Sequence, residues 1–288
     1  MERIAPTVYI ETGYPGVNVG AIATDQGVVC IDAPTRPGDA QDWLETIHHT
    51  IGGPIQYLIL TDYQGDRTLC GSMFHSRGIA QEETRDVLQN HPTRFPAALL
   101  ESFALRYGLS RKDINGTSVI HPQISFCEQS TLQIGSQRID LVHAPSATPG
   151  TLWAYVNQDR VLFVGDTLVI DQHPPLAEAE TLSWLSALGR LQQEDMDAEI
   201  IVPGRGPLPE RKTIEALASF IETARERVCA LYRAGRPRAE TTGLVPDLLE
   251  FFAPPPPQTN GTVEWLQKQL KAGLDHLYDE CRAEAAGR

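Results

Sequence analysis

Four turns, each following a short apolar run, constrain this chain more than any other feature. They are LTDYQGDR (residues 60–67), HAPSATPGTL (143–152), FVGDTL (163–168) and IVPGRGP (201–207). A brief apolar run closed by Gly, Pro or Asp reads as a buried strand ending in a loop. Loops at strand ends are where a rigid sheet gathers a functional site. A chain carrying four of them is expected to bring residues distant in sequence to one place.

The intervening segments read as alternating strands and helices. TVYIETG and VGAIATDQGVVCIDAP are β-branched runs, the second folding back at Asp25-Gln26-Gly27 as a hairpin. A helix is predicted over 38–51, with Trp43, Leu44 and Ile47 on one face and Gly52-Gly53-Pro54 as its stop. IQYLIL then supplies a buried strand, and 94–110 a helix inserted over one face. From 131 the runs TLQIG, RIDLVHA, TLWAYV and VLFVGD predict an antiparallel meander, followed by a helix near 180–193 and the strand EIIVPG. Beyond 208 the spacing of Ile214, Leu217, Phe220, Ile221, Ala224, Val228 and Leu231 is helical. The prolines at 254–257 stiffen a connector placed at 253–257, and a last amphipathic helix carries Val263, Leu266, Leu270, Leu274, Leu277 and Cys281. Its apolar stripe predicts packing on the core, with a homodimer contact as the alternative. The expected division is 1–208 as one domain and 209–288 as a helical extension.

Charge narrows the partners. With 24 Lys+Arg against 37 Asp+Glu the formal net charge is −13, so nucleic acid and anionic membranes are not expected as partners. No run approaches the roughly 20 apolar residues of a bilayer span, and MERIAPTVYI lacks the pattern of a signal peptide; a cytoplasmic location is expected. The five cysteines (Cys30, Cys70, Cys127, Cys229, Cys281) are odd in number and scattered, which predicts free thiols without disulfides.

In order and context, the four turns resemble those of the metallo-β-lactamase fold over roughly residues 7–208, and IAQEETRDVL (79–88) resembles that family's strand-to-helix passage. The resemblance implies an α/β (α+β) architecture, an αββα four-layer sandwich, here with a C-terminal helical extension. Family members with an intact site carry a T-H-x-H-x-D-H loop, a His in a G-H-T-P-G-S-like turn, an Asp in G-D and a His in P-G-H-G-P. These hold one or two metals, usually zinc, that activate a water. Carried onto this sequence, the first loop supplies Asp62, Gln64, Asp66 and Arg67, the second turn Ala147, the G-D pair Asp166 and the last turn Arg205. The five histidine positions hold other residues. The scaffold residues Thr61, Thr148, Pro149, Gly150, Gly165, Pro203, Gly204, Gly206 and Pro207 match.

Arginine has five donors, no acceptor, and is not deprotonated in proteins, so it cannot ligate a metal. Arg67 and Arg205 are therefore expected to face Asp62, Asp66 and Asp166 as an internal salt-bridge network, with no cofactor. The rival expectation is a hard cation, Mg²⁺ or Mn²⁺, on those three carboxylates. Around the network, Tyr63, Cys70, His143 and His173 are candidate pocket residues. His143 is expected to be structural; His173 could serve as an acid or base; Cys70 could be a thiol activated by Arg67. Tyr63 and Gln64 either contact a ligand or complete the network. The reading that follows is a protein that lacks metal-dependent hydrolysis and binds a small molecule or a protein partner. The alternative is a hydrolase of small esters, thioesters or lactones, the class implied by relatives with a similar extension, using a carboxylate-held metal or none.

Overall fold

The structure is a computed structural model and describes residues 1–90, 97–107, 109–110, 117–193, 197–252 and 262–287. Two sheets lie face to face. The first contains seven strands in the order β1 (Glu2–Arg3), β2 (Val8–Glu11), β3 (Val19–Thr24), β4 (Gly27–Ile31), β5 (Ile55–Ile59), β6 (Arg77–Gln81) and β7 (Ile124–Phe126). Pairing is antiparallel from β1 to β4 and parallel from β4 to β7. The hairpin forms at Asp25-Gln26 as the sequence predicts. The second sheet is the expected meander, β8 (Gln129–Ile134), β9 (Gln137–His143), β10 (Leu152–Val156) and β11 (Val161–Phe163), with β12 (Ile200–Val202) added parallel to β11.

Three apolar layers hold these sheets. Between them, Ile10, Ile22, Val29, Ile59, Leu141, Ala154 and Phe163 interdigitate with almost no exposure. Outside the first sheet, Trp43 and Ile47 of α1 (Pro37–Thr50) and Phe103 of α4 (Ala97–Tyr107) cover Val19, Cys30 and Leu58. The short helix α2 (Gly65–Thr68) lies between α1 and α4 in the chain, as does α3 (Glu82–Asn90). Outside the second sheet, Trp153 packs with Trp184 of α5 (Thr181–Gln192), Leu217 and Phe220 of α6 (Arg211–Arg233), Leu248 of α7 (Val245–Leu249) and Leu274 of α8 (Thr262–Ala286). This is the αββα layering that the family resemblance implies. Most of the stripe of the last helix is consumed by that core: Leu270, Leu274, Leu277 and Cys281 belong to it and Leu266 is buried, whereas Val263 is exposed. Part of the helix expected over 94–110 and the connector at 253–257 lie outside the described residues. Among the described residues no helix is long and apolar enough to cross a membrane.

The cysteine expectation is overturned. Cys229 and Cys281 form a disulfide with Cα atoms 5.5 Å apart, while Cys30, Cys70 and Cys127 are free. Helices α6 and α8 run antiparallel, pairing Tyr232 with Tyr278 and Arg225 with Glu284, and this sets the two thiols opposite each other. A separation of 52 residues conceals that proximity in the sequence. Closing such a loop restrains the unfolded chain by about 4 kcal/mol in the loop-entropy account. Calorimetry with and without reductant is therefore expected to show a lower melting temperature on reduction, with Cys229→Ser/Cys281→Ser reproducing the reduced value. Equal melting temperatures would remove the staple from the account of stability.

Candidate functional site

The site forms where β4, β5, β11 and β12 end, and each end contributes one or more ionised side chains. Asp32 follows β4 in the left-handed region (φ 56°), which Asp tolerates better than most residues. Its carboxylate accepts from the Thr61 N–H (2.8 Å) and hydroxyl (2.6 Å), fixing the start of the loop after β5. Gly165, also left-handed (φ 53°), crosses so close to Thr61 that a Cβ would fall 2.7 Å from the hydroxyl oxygen. At Gly204 a Cβ would lie 2.3 Å from Asp166 Oδ1, while its N–H donates to the Gly165 carbonyl at 2.7 Å. The matching glycines therefore hold the two turns in contact.

Arg67 stands at the centre and is fully buried. Its Nη1 donates to Asp32 (2.8 Å) and to the Thr61 hydroxyl (2.6 Å). Nε lies 2.9 Å from Asp62 Oδ1 and Nη2 lies 2.5 Å from Asp166 Oδ1, in ion pairs that are not aligned as hydrogen bonds. Arg205 reaches the other side of Asp166, with Nη2 3.0 Å from Oδ2, and places Nη1 2.6 Å from Asp66 Oδ2. It also donates to the Gln64 side-chain oxygen (3.2 Å) and the Gly16 carbonyl (3.2 Å). Asp66 Oδ2 further accepts from Arg106 Nη1 (2.8 Å) and the Tyr107 hydroxyl (2.9 Å), both on α4.

Among the described residues four carboxylates thus face three guanidinium groups, leaving one negative charge. Burial pushes the Asp66 carboxyl up, but the Arg106 and Arg205 charges outweigh it and hold Asp66 well below the usual carboxylate range. Asp166 is likewise lowered: against burial it has the charges of both Arg205 and Arg67. Asp62 has only Arg67, so burial dominates and, with Asp166 nearby, pushes it up to about 7. Its Oδ2 is buried without a hydrogen-bond partner among the described residues. Asp32 is also raised by burial.

The structure therefore brings together Asp62, Gln64, Asp66, Arg67, Asp166 and Arg205. Ala147 is buried in the apolar layer containing Trp153 and Trp184 and adds no polar atom. Sequence reasoning missed Asp32, Arg106 and Tyr107. The carboxylate ending the buried run GVVCIDA was a signal for Asp32; Arg106 and Tyr107 gave none, because only folding places α4 at this mouth. The remaining candidates stand outside the network. Tyr63 is raised by burial and by its hydrogen bond to Glu178. His143 bonds the Pro149 carbonyl (2.7 Å) and lines a surface depression with Leu182, Ser183 and Arg190, none of them network residues. His173 bonds the Leu249 carbonyl (3.1 Å) between the rings of Phe220 and Phe252, and burial lowers its pKa. These partners belong to the helical layer, so a His173 acid–base role in the network is not supported. The expected activation of Cys70 is corrected: burial pushes its thiol up to about 12, and its Sγ contacts the Thr35 carbonyl at 3.5 Å.

A metal does not fit these side chains. Each of Asp32, Asp62, Asp66 and Asp166 has an oxygen paired with a guanidinium, whose fixed positive charge a cation would meet and which offers it no acceptor. Among the described residues no group of three or more His, Cys, Asp or Glu is arranged to hold a metal ion.

Comparison with known proteins agrees with this architecture. Residues 12–205 match the metallo-beta-lactamase superfamily. A metallo-beta-lactamase family protein from Thermus thermophilus superposes with TM-score 0.65 at 20% identity, covering 96% of this chain and 95% of that one. A metallo-beta-lactamase from Pontibacter korlensis gives 0.57 at 20% identity over 77% and 97%. The DIM-1 metallo-beta-lactamase gives 0.59 at 16% identity over 77% and 96%. No curated protein matches by sequence. With two thirds of its length matched and both sheets in the expected arrangement, the chain belongs to the metallo-β-lactamase superfamily.

Proposed function

We propose that this member of the superfamily does not carry out metal-dependent hydrolysis, and that it binds a small molecule at the mouth of the old catalytic cleft. The observation that carries this reading is Arg67, fully buried and ion-paired on three sides with Asp32, Asp62 and Asp166. A divalent cation among those oxygens would meet a fixed positive charge at contact distance, and no proton can leave the guanidinium to relieve it. The retained aspartates then serve the arginines. Gln64 and Arg106, which contact Arg205 and Asp66 and are only partly buried, are the rim at which this reading has a ligand arrive.

Elemental analysis for zinc, iron, manganese and nickel, after expression in metal-supplemented medium, tests this. Metal far below equimolar is expected, together with no metal-dependent turnover of ester, thioester or lactone substrates. Equimolar metal overturns the reading, as does turnover that requires Mn²⁺ or Zn²⁺ and disappears in Asp166→Ala.

A further inference from the structure

The rim carries an arrangement that neutralising the network does not explain. Arg106 donates Nη1 to Asp66 Oδ2 at 2.8 Å. Its guanidinium carbon lies 4.2 Å from the ring centroid of Trp265, on α8, and 4.9 Å from that of Tyr107. A planar cation bound at its edge by a carboxylate and on its face by an indole is how proteins recognise guanidinium groups. Arg106 also differs from the other two arginines in access: its side chain is 26% exposed, against 0% for Arg67 and 4% for Arg205. Nor is Asp66 left alone without it, because Arg205 holds the same oxygen at 2.6 Å.

Asp66 and Trp265 come from α2 and α8, so the two recognising groups exist independently of the helix that supplies their present occupant. We propose that they form a binding site for a guanidinium-bearing ligand, with Arg106 as its internal occupant. A ligand enters by displacing Arg106, and α4 thereby acts as a tethered competitor. Tethering gives such an occupant an effective concentration on the order of millimolar, which sets the threshold an external guanidinium must exceed. The planar guanidinium can stack on the indole while its in-plane N–H groups meet the carboxylate; an ammonium has no such plane. The proposal rests on the functional reading above in one respect, that Asp66 is not a metal ligand.

The test is calorimetric titration of wild type and Arg106→Ala with methylguanidinium and, separately, methylammonium, native structure being verified by near-UV circular dichroism. Arg106→Gln replaces the alanine variant if the latter does not fold. The expected result is saturable methylguanidinium binding in the variant, at least about tenfold tighter than in wild type, with methylammonium weaker than methylguanidinium in the variant. Adding Trp265→Leu to the variant should weaken binding roughly tenfold. Absence of saturable binding in the folded variant, equal binding in wild type, or indifference to Trp265 overturns the site. Metal content of the same samples is read independently. Metal-free protein that ignores methylguanidinium overturns only this inference, whereas equimolar metal overturns the functional reading as well.

Discussion

Arg67→Ala is expected to destabilise the protein by about 3–5 kcal/mol, because removing one partner of a buried ion network leaves the others charged and unpaired. The effect should sit at the upper end of that range. Arg67 is fully buried and faces three carboxylates, and Asp32 and Asp62 have no other ionised partner within ion-pair distance among the described residues. For a chain of this size the loss corresponds to a fall in melting temperature on the order of 10 °C. Arg67→Lys should recover part of it, since an ammonium restores the charge but cannot point at three carboxylates at once. Thermal unfolding of the three proteins at one pH measures the series. A change within about 0.5 kcal/mol for the alanine variant would place Arg67 among ordinary surface residues and dissolve the network as an explanation of the fold's interior.

How much of this could be read from the sequence depends on whether a feature is local or assembled. The strands were legible because alternation and flanking turns are local signals, as at Asp25-Gln26 between β3 and β4. The opposition of Arg67 and Arg205 to Asp62, Asp66 and Asp166 was legible only through the family resemblance that the four turns carry. Asp32 has a signal, the carboxylate that closes the buried run GVVCIDA, but that signal does not say which groups the carboxylate meets until its neighbours are known. Arg106 and Trp265 lie far apart in the chain on two helices, and neither has a motif to mark it. The disulfide is the same case in helical form: Cys229 and Cys281 belong to two stripes whose antiparallel docking only the tertiary structure reveals. Balance was easier to foresee than membership, since four carboxylates and three guanidinium groups leave the same single negative charge as the smaller set expected from sequence.

That residual charge leads to a pH-dependent prediction centred on Asp62. Its folded pKa, about 7, stands above the ordinary aspartate value of 3.8, so the folded state holds a proton that the unfolded chain has already released between those pH values. Stability from this group is complete below about pH 4 and is lost as pH rises through 7. Asp66 and Asp166 act in the opposite sense: their folded pKa values are depressed, so their contribution is present above about pH 4 and lost on acidification. Wild type is therefore expected to be most stable in mildly acidic solution and to weaken toward about pH 8. In Asp62→Asn the amide keeps an oxygen to accept the Gln64 N–H, now made at 2.7 Å to Oδ1. The network charge falls to zero, and the share of the decline that Asp62 supplies should disappear, leaving the decline from Asp32, which burial raises in the same sense. At about pH 8 the variant is expected to be as stable as wild type or more stable, by up to a few kcal/mol for a shift of this size. Only below about pH 4, where Asp62 carries its proton folded and unfolded alike, should the two be close. Denaturant titrations of both proteins across this range measure the difference. An asparagine variant that loses stability from about pH 5 to 8 in parallel with wild type would show that Asp62 is ionised in the fold and that the excess charge is balanced elsewhere.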